Sequence, residues 1–231
     1  MGEHIHIAID GPSSAGKSTI ANYLAGMLNI PYLDTGAMYR AVALALRDKE
    51  FCLNQKNVEA RLLVFLKRVD LQVFLQAGLS ARQRVLLNGE EVTDKLRTPE
   101  LATLASNISA YKSVRDFLVA LQQSIALNSD IILDGRDIGT VVLPDAKLKI
   151  FLTASLEVRA IRRYNEFIER GIDTTLEEVK QQIATRDNND STRKHAPLKK
   201  ADDAFELDTT DLSIEETAQV IYAKAKIFNI I

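Results

Sequence analysis

Gly11-Pro12-Ser13-Ser14-Ala15-Gly16-Lys17-Ser18 matches G-x-x-x-x-G-K-S/T in full, and its flanks are those the motif needs. Upstream, His4–Ile9 is a short β-branched run that breaks at Asp10-Gly11-Pro12, which reads as a strand and a turn. Downstream, Ile20, Tyr23, Leu24, Met27 and Leu28 recur at spacings of three and four, predicting a helix from about Lys17 to Leu28. Such a loop turns backbone N–H groups inward and ends at a helix N-terminus, whose partial positive charge attracts phosphate. Lys17 reaches the β and γ phosphates in this motif, and the Ser18 hydroxyl is a ligand for Mg²⁺. A nucleoside triphosphate site is the expectation.

The same alternation continues along the chain. Pro31–Leu33 reads as a second short strand and Gly36–Lys49 as a second helix, with Met38, Val42, Ala45 and Leu46 on one side. Ile131–Leu133 and Leu148–Leu152 are apolar strands, followed by helices near Leu156–Arg170 and Leu176–Asn189. A last strand, Ala204–Leu207, precedes a helix from about Ser213 to Phe228, opened by the capping box Ser213-Ile214-Glu215-Glu216. Strands alternating with helices predict an α/β, doubly wound parallel sheet covered on both faces.

One stretch departs from that rhythm. Leu71–Leu75 and Arg84–Leu87 read as strands on either side of a Gly78-Leu79-Ser80 turn, with Asn88-Gly89 beyond. No helix fits between them, so antiparallel pairing is expected, and 68–95 reads as a small inserted subdomain.

Composition narrows the function classes. The chain has 231 residues, 46% apolar and 26% charged, which suits one globular domain with a small insert. A net charge of −2 argues against a general nucleic-acid coat. The single cysteine, Cys52, excludes an internal disulfide, and its apolar neighbours Phe51 and Leu53 suggest a small buried side chain. No apolar run approaches a membrane span, and the start MGEHIHIAID lacks a signal peptide or a myristoylation pattern. The expectation is a cytoplasmic chain with no nucleic-acid or membrane partner. No heptad pattern suggests obligate pairing, so a monomer is expected.

Two further stretches bear on an acceptor. Thr35-Gly36-Ala37-Met38-Tyr39-Arg40 puts a hydroxyl and an arginine on the first turns of a helix, which suits a phosphate monoester or, alternatively, an N-cap threonine with a solvated arginine. Asp134-Gly135-Arg136-Asp137 follows a buried strand, where ligands sit in open α/β sheets; a carboxylate-rich turn is the alternative. Arg159, Arg162 and Arg163 share a helix face that is either functional or simply solvated. His4 and His6 read as strand-edge residues, and His195, Lys199 and Lys200 as a solvated loop.

Together these motifs resemble the bacterial cytidylate kinase family of P-loop nucleoside-monophosphate kinases. The resemblance spans AIDGPSSAGKST at 8–19, LDTGAMYRAVAL at 33–44 and VLLNGEEVTDKLR at 85–97. It continues through DGRDIGTVVLPDAKLKIFLTAS at 134–155, RDNNDSTRKHAPLKKADDA at 186–204 and LDTTDLSIEE at 207–216. It implies phosphoryl transfer from MgATP to CMP and dCMP, with ATP held by Gly11, Pro12, Ser13, Ser14, Ala15, Gly16, Lys17, Ser18 and Thr19. Thr35, Arg40 and Arg136 would face the CMP phosphate. Ser106, Arg115, Asp137 and Arg193 would address the base, while Arg186 and Asp190 would reach the ribose and the phosphates. Lys17, Arg136 and Arg186 would carry catalysis and Ser18 the metal. The resemblance also implies a 68–95 acceptor-binding insert and a 156–190 lid. Asn188 and Asn189 stand where the family commonly has charge. UMP or shikimate as acceptor, and an NTP-dependent switch, are the competing readings.

Overall fold

A computed structural model describes residues 4–78 and 83–227. In chain order it places β1 (His6–Asp10), α1 (Lys17–Leu28), β2 (Tyr32–Asp34), α2 (Thr35–Asp48), α3 (Val58–Leu66), β3 (Leu71–Phe74), β4 (Arg84–Leu87) and β5 (Glu90–Glu91). There follow α4 (Pro99–Ile108), α5 (Lys112–Ala126), β6 (Ile131–Gly135), β7 (Leu148–Thr153), α6 (Leu156–Glu169), α7 (Leu176–Thr192), β8 (Phe205–Asp208) and α8 (Ile214–Ile227).

The main sheet runs β2-β6-β1-β7-β8, and every pairing in it is parallel. Alternation along β1 divides the core in two. Ala8 faces a layer built from α2, α4 and α5, together with Ile131 and Leu133 of β6. Ile7 and Ile9 face the other layer, with α1, α8, Ile132, Ile150 and Leu152. The expected sheet covered on both faces is therefore present. A smaller cluster of Ala160, Phe167, Val179 and Ile183 holds α6 against α7.

The second sheet, β3-β4-β5, is antiparallel, with Leu71 opposite Leu87 and Val73 opposite Val85. Buried Leu71, Val85 and Leu87 join the layer under α2 and α4, which anchors this small sheet beside the main one. Leu79 and Ser80 of the predicted turn, and Phe228 of the last predicted helix, lie outside the described residues. The capping box holds: Ser213 Oγ accepts from Glu216 N at 3.2 Å, and Glu216 accepts from Ser213 N at 2.8 Å.

Three expectations change. Cys52 is exposed, in the irregular segment between α2 and α3, where its neighbour Phe51 is the side chain that packs, edge-on against Phe65. His195 is half-buried rather than solvated. Thr35 does not cap α2; Asp34 does, accepting from Ala37 N at 3.0 Å. Among the described residues no helix is long and apolar enough to cross a membrane.

Candidate active site

The carboxyl ends of β1, β2 and β6 meet in register, with Ile9 beside Asp134, Asp10 beside Gly135 and Asp34 beside Asp134. The loop after β1 depends on glycine at its first position: a Cβ on Gly11, at φ +149°, would lie 2.1 Å from the Leu152 carbonyl oxygen of β7. The loop can thus pass against the neighbouring strand only without a side chain there. Gly16, at φ +88°, then turns the chain into α1. Ser13 to Thr19 line a cleft of ≈ 1190 Å³, while Gly11 and Pro12 lie behind it.

Lys17 is buried, and its Nζ donates to the Pro12 carbonyl at 2.6 Å. Burial, reinforced by the Arg136 charge, pushes its pKa well down. Ser18 Oγ donates to Asp134 Oδ2 at 2.8 Å, and Tyr32 donates to Asp134 Oδ1 at 2.7 Å. Burial and then the nearby Asp34 charge raise Asp134 to about 6. Behind it Asp10 accepts from the Ile138 and Gly139 amides, both at 2.8 Å.

The opposite wall is built of arginines and their partners. Thr35 is buried and donates to the Asp134 carbonyl at 2.7 Å, so its proton ties α2 to β6 while its oxygen lines the cleft. Arg40 donates to Asp34 Oδ2 at 2.7 Å, and its Nε is buried without a partner. Arg136 Nε donates to Asp190 Oδ2 at 2.7 Å, with Arg186 Nε 4.0 Å from the same oxygen. Burial raises the Asp190 carboxyl, but Arg136 and Arg186 outweigh it and hold the group below the usual range. Burial, then Arg136, brings Arg186 down to about 10, and its Nε too is buried and unpartnered.

A second cluster lies further along the cleft. Arg115 pairs with Asp137 and also donates to Tyr39 at 3.2 Å. Arg193 donates to Ser109 Oγ at 3.1 Å and lies 3.5 Å from Asp137 Oδ1. Ser106 Oγ is buried and makes no hydrogen bond. All nine residues expected on the acceptor side line the one cleft with Lys17 and Ser18.

The basic trio on α6 is not a solvated face. Arg159 is buried, whereas Arg162 and Arg163 line the cleft. Arg162 donates to the Thr209 carbonyl at 2.6 Å, and Arg163 lies over the Phe167 ring while donating to Glu166 at 2.7 Å. Asn188 and Asn189 are exposed. Sequence reading assigned no role to Asp134, Tyr32, Asp34, Tyr39 or Ser109. A carboxylate ending a buried strand, as Asp134 does, was the available signal for the first.

For a divalent cation, the donors beside the loop are the Ser18 hydroxyl and the Asp134 carboxylate, both hard oxygens. Among the described residues no cluster of three His, Cys, Asp or Glu side chains forms a metal site. The Ser18 and Asp134 oxygens are of the kind Mg²⁺ takes, one or two protein oxygens plus substrate phosphates.

The chain matches the family model described as Cytidylate kinase over residues 7–227. A cytidylate kinase of Bacillus thuringiensis (strain Al Hakam) is 47% identical over 221 residues, 96% of each chain, and one of Bacillus anthracis (strain A0248) matches to the same extent. In three dimensions the chain is similar to an uncharacterized protein from Eubacterium ventriosum, with a TM-score of 0.51, 12% identity, and 97% and 99% of the two chains covered. That last likeness speaks to the fold alone.

Proposed function

The chain belongs to the cytidylate kinase family, and from that premise we propose which of its side chains carry ATP-dependent phosphorylation of CMP to CDP. In the transfer, a CMP phosphate oxygen forms a bond to the γ phosphorus of ATP while the bond from that phosphorus to the β-bridging oxygen breaks, releasing ADP. The acceptor phosphate is already largely ionised near neutral pH, so no general base is required. Catalysis is alignment plus neutralisation of charge on the moving group.

In this reading Gly11 to Thr19 hold ATP, with Lys17 giving up the Pro12 carbonyl to follow the phosphates. Arg136 and Arg186 neutralise the transferring group. Arg40 and Arg136 bind the acceptor phosphate beside Thr35, and Asp190 accepts from the sugar with Arg186 beside it. Arg115, Asp137, Arg193 and Ser106 read the base. Mg²⁺ supplies charge neutralisation on the triphosphate, with Ser18 and Asp134 as the residues that would hold it. We read 68–95 as the acceptor-side insert and 156–190 as a lid that excludes water and so suppresses ATP hydrolysis. dCMP as a second substrate, a monomeric state and a cytoplasmic location belong to the same reading.

One observation carries these assignments. Arg40 and Arg186 line the same cleft as Lys17, and the Nε of each is buried without a hydrogen-bond partner. Buried donors without partners cost free energy, and phosphate oxygens would relieve it. The test is an acceptor panel of CMP, dCMP, UMP, AMP, GMP and shikimate with MgATP. CMP and dCMP should turn over fastest. Faster turnover of UMP or shikimate would remove the base-reading assignment.

A further inference from the structure

Ser13, inside the phosphate loop, is held through both of its backbone polar groups by side chains from α6 and α7. Its N–H donates to Asp187 Oδ1 at 3.0 Å, and its carbonyl accepts from Arg159 Nη1 at 3.1 Å. The same Arg159 nitrogen pairs with Asp187 Oδ2, and Arg159 Nε donates to the Ala154 carbonyl at 2.9 Å. Neither side chain lines the cleft, so the pair grips the loop from behind rather than touching substrate.

The two helices bring different things to this contact. Arg159 sits on the first turn of α6, just past the end of β7, so it is referenced to the main sheet. Asp187 sits on α7 next to Arg186 and three residues before Asp190. The cluster of Ala160, Phe167, Val179 and Ile183 packs the two helices together. The next side-chain contact along the loop is longer, Thr209 Oγ1 donating to the Ala15 carbonyl at 3.5 Å. The Lys17–Pro12 bond, in turn, must break if Lys17 is to reach a phosphate. A rearrangement of the loop is therefore felt at Ser13, and the charge-assisted bonds there pass it to α7.

We propose that Arg159 and Asp187 form a positioning clamp that couples occupation of the phosphate loop to the placement of Arg186 and Asp190 on the acceptor side. The clamp makes donor and acceptor binding interdependent. It rests on the reading of 11–18 as the triphosphate site.

The test is a coupling measurement by calorimetry. CMP affinity is measured with and without a non-hydrolysable ATP analogue in wild type, Asp187→Ala and Asp187→Asn, with analogue affinity measured alone. In wild type the analogue should tighten CMP binding by at least about fivefold, the lower end of ordinary coupling between sites. Asp187→Ala should bring that ratio close to one while each ligand bound alone stays within about threefold of wild type, as expected of a residue that touches neither. Asp187→Asn keeps an oxygen for Ser13 but abandons the charge on Arg159, and should give an intermediate ratio. It also serves should the alanine variant fail to fold. A wild-type ratio of one, or a ratio unchanged in whichever variants fold, overturns the clamp. A variant that loses thermal stability yet keeps the ratio shows a merely structural contact, and also overturns it. If the analogue does not bind wild type at all, the triphosphate site itself is wrong, which is a separate failure.

Discussion

Arg136 and Asp190, 54 residues apart, meet through a 2.7 Å hydrogen bond, and the oxygen that accepts it is also the nearest carboxylate atom to Arg186. One anion therefore serves two half-buried cations beside Lys17, whose own pKa is pushed down by burial and by Arg136. At Asp190 itself the two guanidiniums outnumber the one carboxylate. Such preorganised charge is worth most where water is excluded and negative charge moves during reaction.

Lys17 tests that field at its donor end. Lys17→Ala should lower kcat by on the order of 10²-fold or more, by analogy with removal of other transition-state donors. The KM for CMP should change little, because the ammonium lies on the loop side of the cleft. Steady-state kinetics decide it. Turnover within about threefold of wild type, too small for a lost transition-state charge, would remove Lys17 from the mechanism.

Asp190 tests the sugar. A carboxylate accepting from the 3′-hydroxyl serves CMP and dCMP alike, since both carry that group. In wild type, dideoxy-CMP should be a poorer substrate than dCMP by roughly tenfold or more in kcat/KM, the worth of a hydrogen bond to a charged group. Asp190→Ala should lower kcat/KM for both natural substrates and leave dCMP and dideoxy-CMP nearly equal. Equal use of the two analogues by wild type would place the sugar contact elsewhere.

The parts of this site visible in the sequence are those carried by short contiguous patterns. The loop from Gly11 to Ser18, the helix that starts at Lys17 and the Asp134-Gly135-Arg136-Asp137 turn could all be read directly. Asp134 could not be given its partners that way. Its meeting with Ser18 and Tyr32 follows from the parallel register that sets β6 between β1 and β2. α5 is hard to read for a different reason: its buried face carries Ser113, Arg115 and Gln122 among the apolar residues, which blurs helical periodicity. α4 does carry a readable signal, a Thr98-Pro99 start followed by Leu101, Ala105 and Ile108. Spacing leaves Arg159, Arg162 and Arg163 as one face, either functional or solvated, and only tertiary contact with Ser13 and Asp187 separates Arg159 from the other two.

Asp10 gives a pH dependence of stability. Burial raises it to about 6, against the lowering effect of the Gly139 and Ile138 amides. The folded pKa thus exceeds the unfolded one, so the folded chain holds a proton over the window from about pH 4 to 6 where the unfolded chain has released it. The burial cost is absent below that window and fully present above it. Asp10→Asn does not titrate, and with one oxygen for two amides it should be less stable at every pH. Between about pH 7.5 and 5, denaturant titrations should show the wild type gaining roughly 1 kcal/mol relative to this variant. A constant difference across that range would mean the Asp10 carboxyl titrates near its ordinary value.

The base is where specificity for CMP must be decided. Cytosine offers an amino donor at C4 and acceptors at N3 and O2, whereas uracil offers an acceptor at C4 and a donor at N3. A pocket that reads cytosine needs an acceptor near C4 and donors near N3 and O2. Asp137 suits the first role, and Arg115, Arg193 and the unpartnered Ser106 hydroxyl suit the second. With uracil, the C4 oxygen would oppose the Asp137 carboxylate and the N3 proton would oppose Arg115. A site built on hydrogen bonds rejects such a mismatch far more strongly than an apolar slot rejects a change of size. Arg115→Met should lower kcat/KM for CMP by roughly 2–4 kcal/mol, the cost of truncating a buried charged contact. The protein should still fold, because Arg193 remains 3.5 Å from Asp137 and keeps that carboxylate paired. ATP binding should be nearly unchanged, since Arg115 lies on α5, away from the phosphate loop. The CMP-to-UMP ratio should narrow in Arg115→Met and in Asp137→Ala alike, because each removes discrimination together with affinity. The measurement is kcat/KM for both nucleotides in the three proteins, and a ratio that stays at the wild-type value in both variants would mean the base is read by other residues.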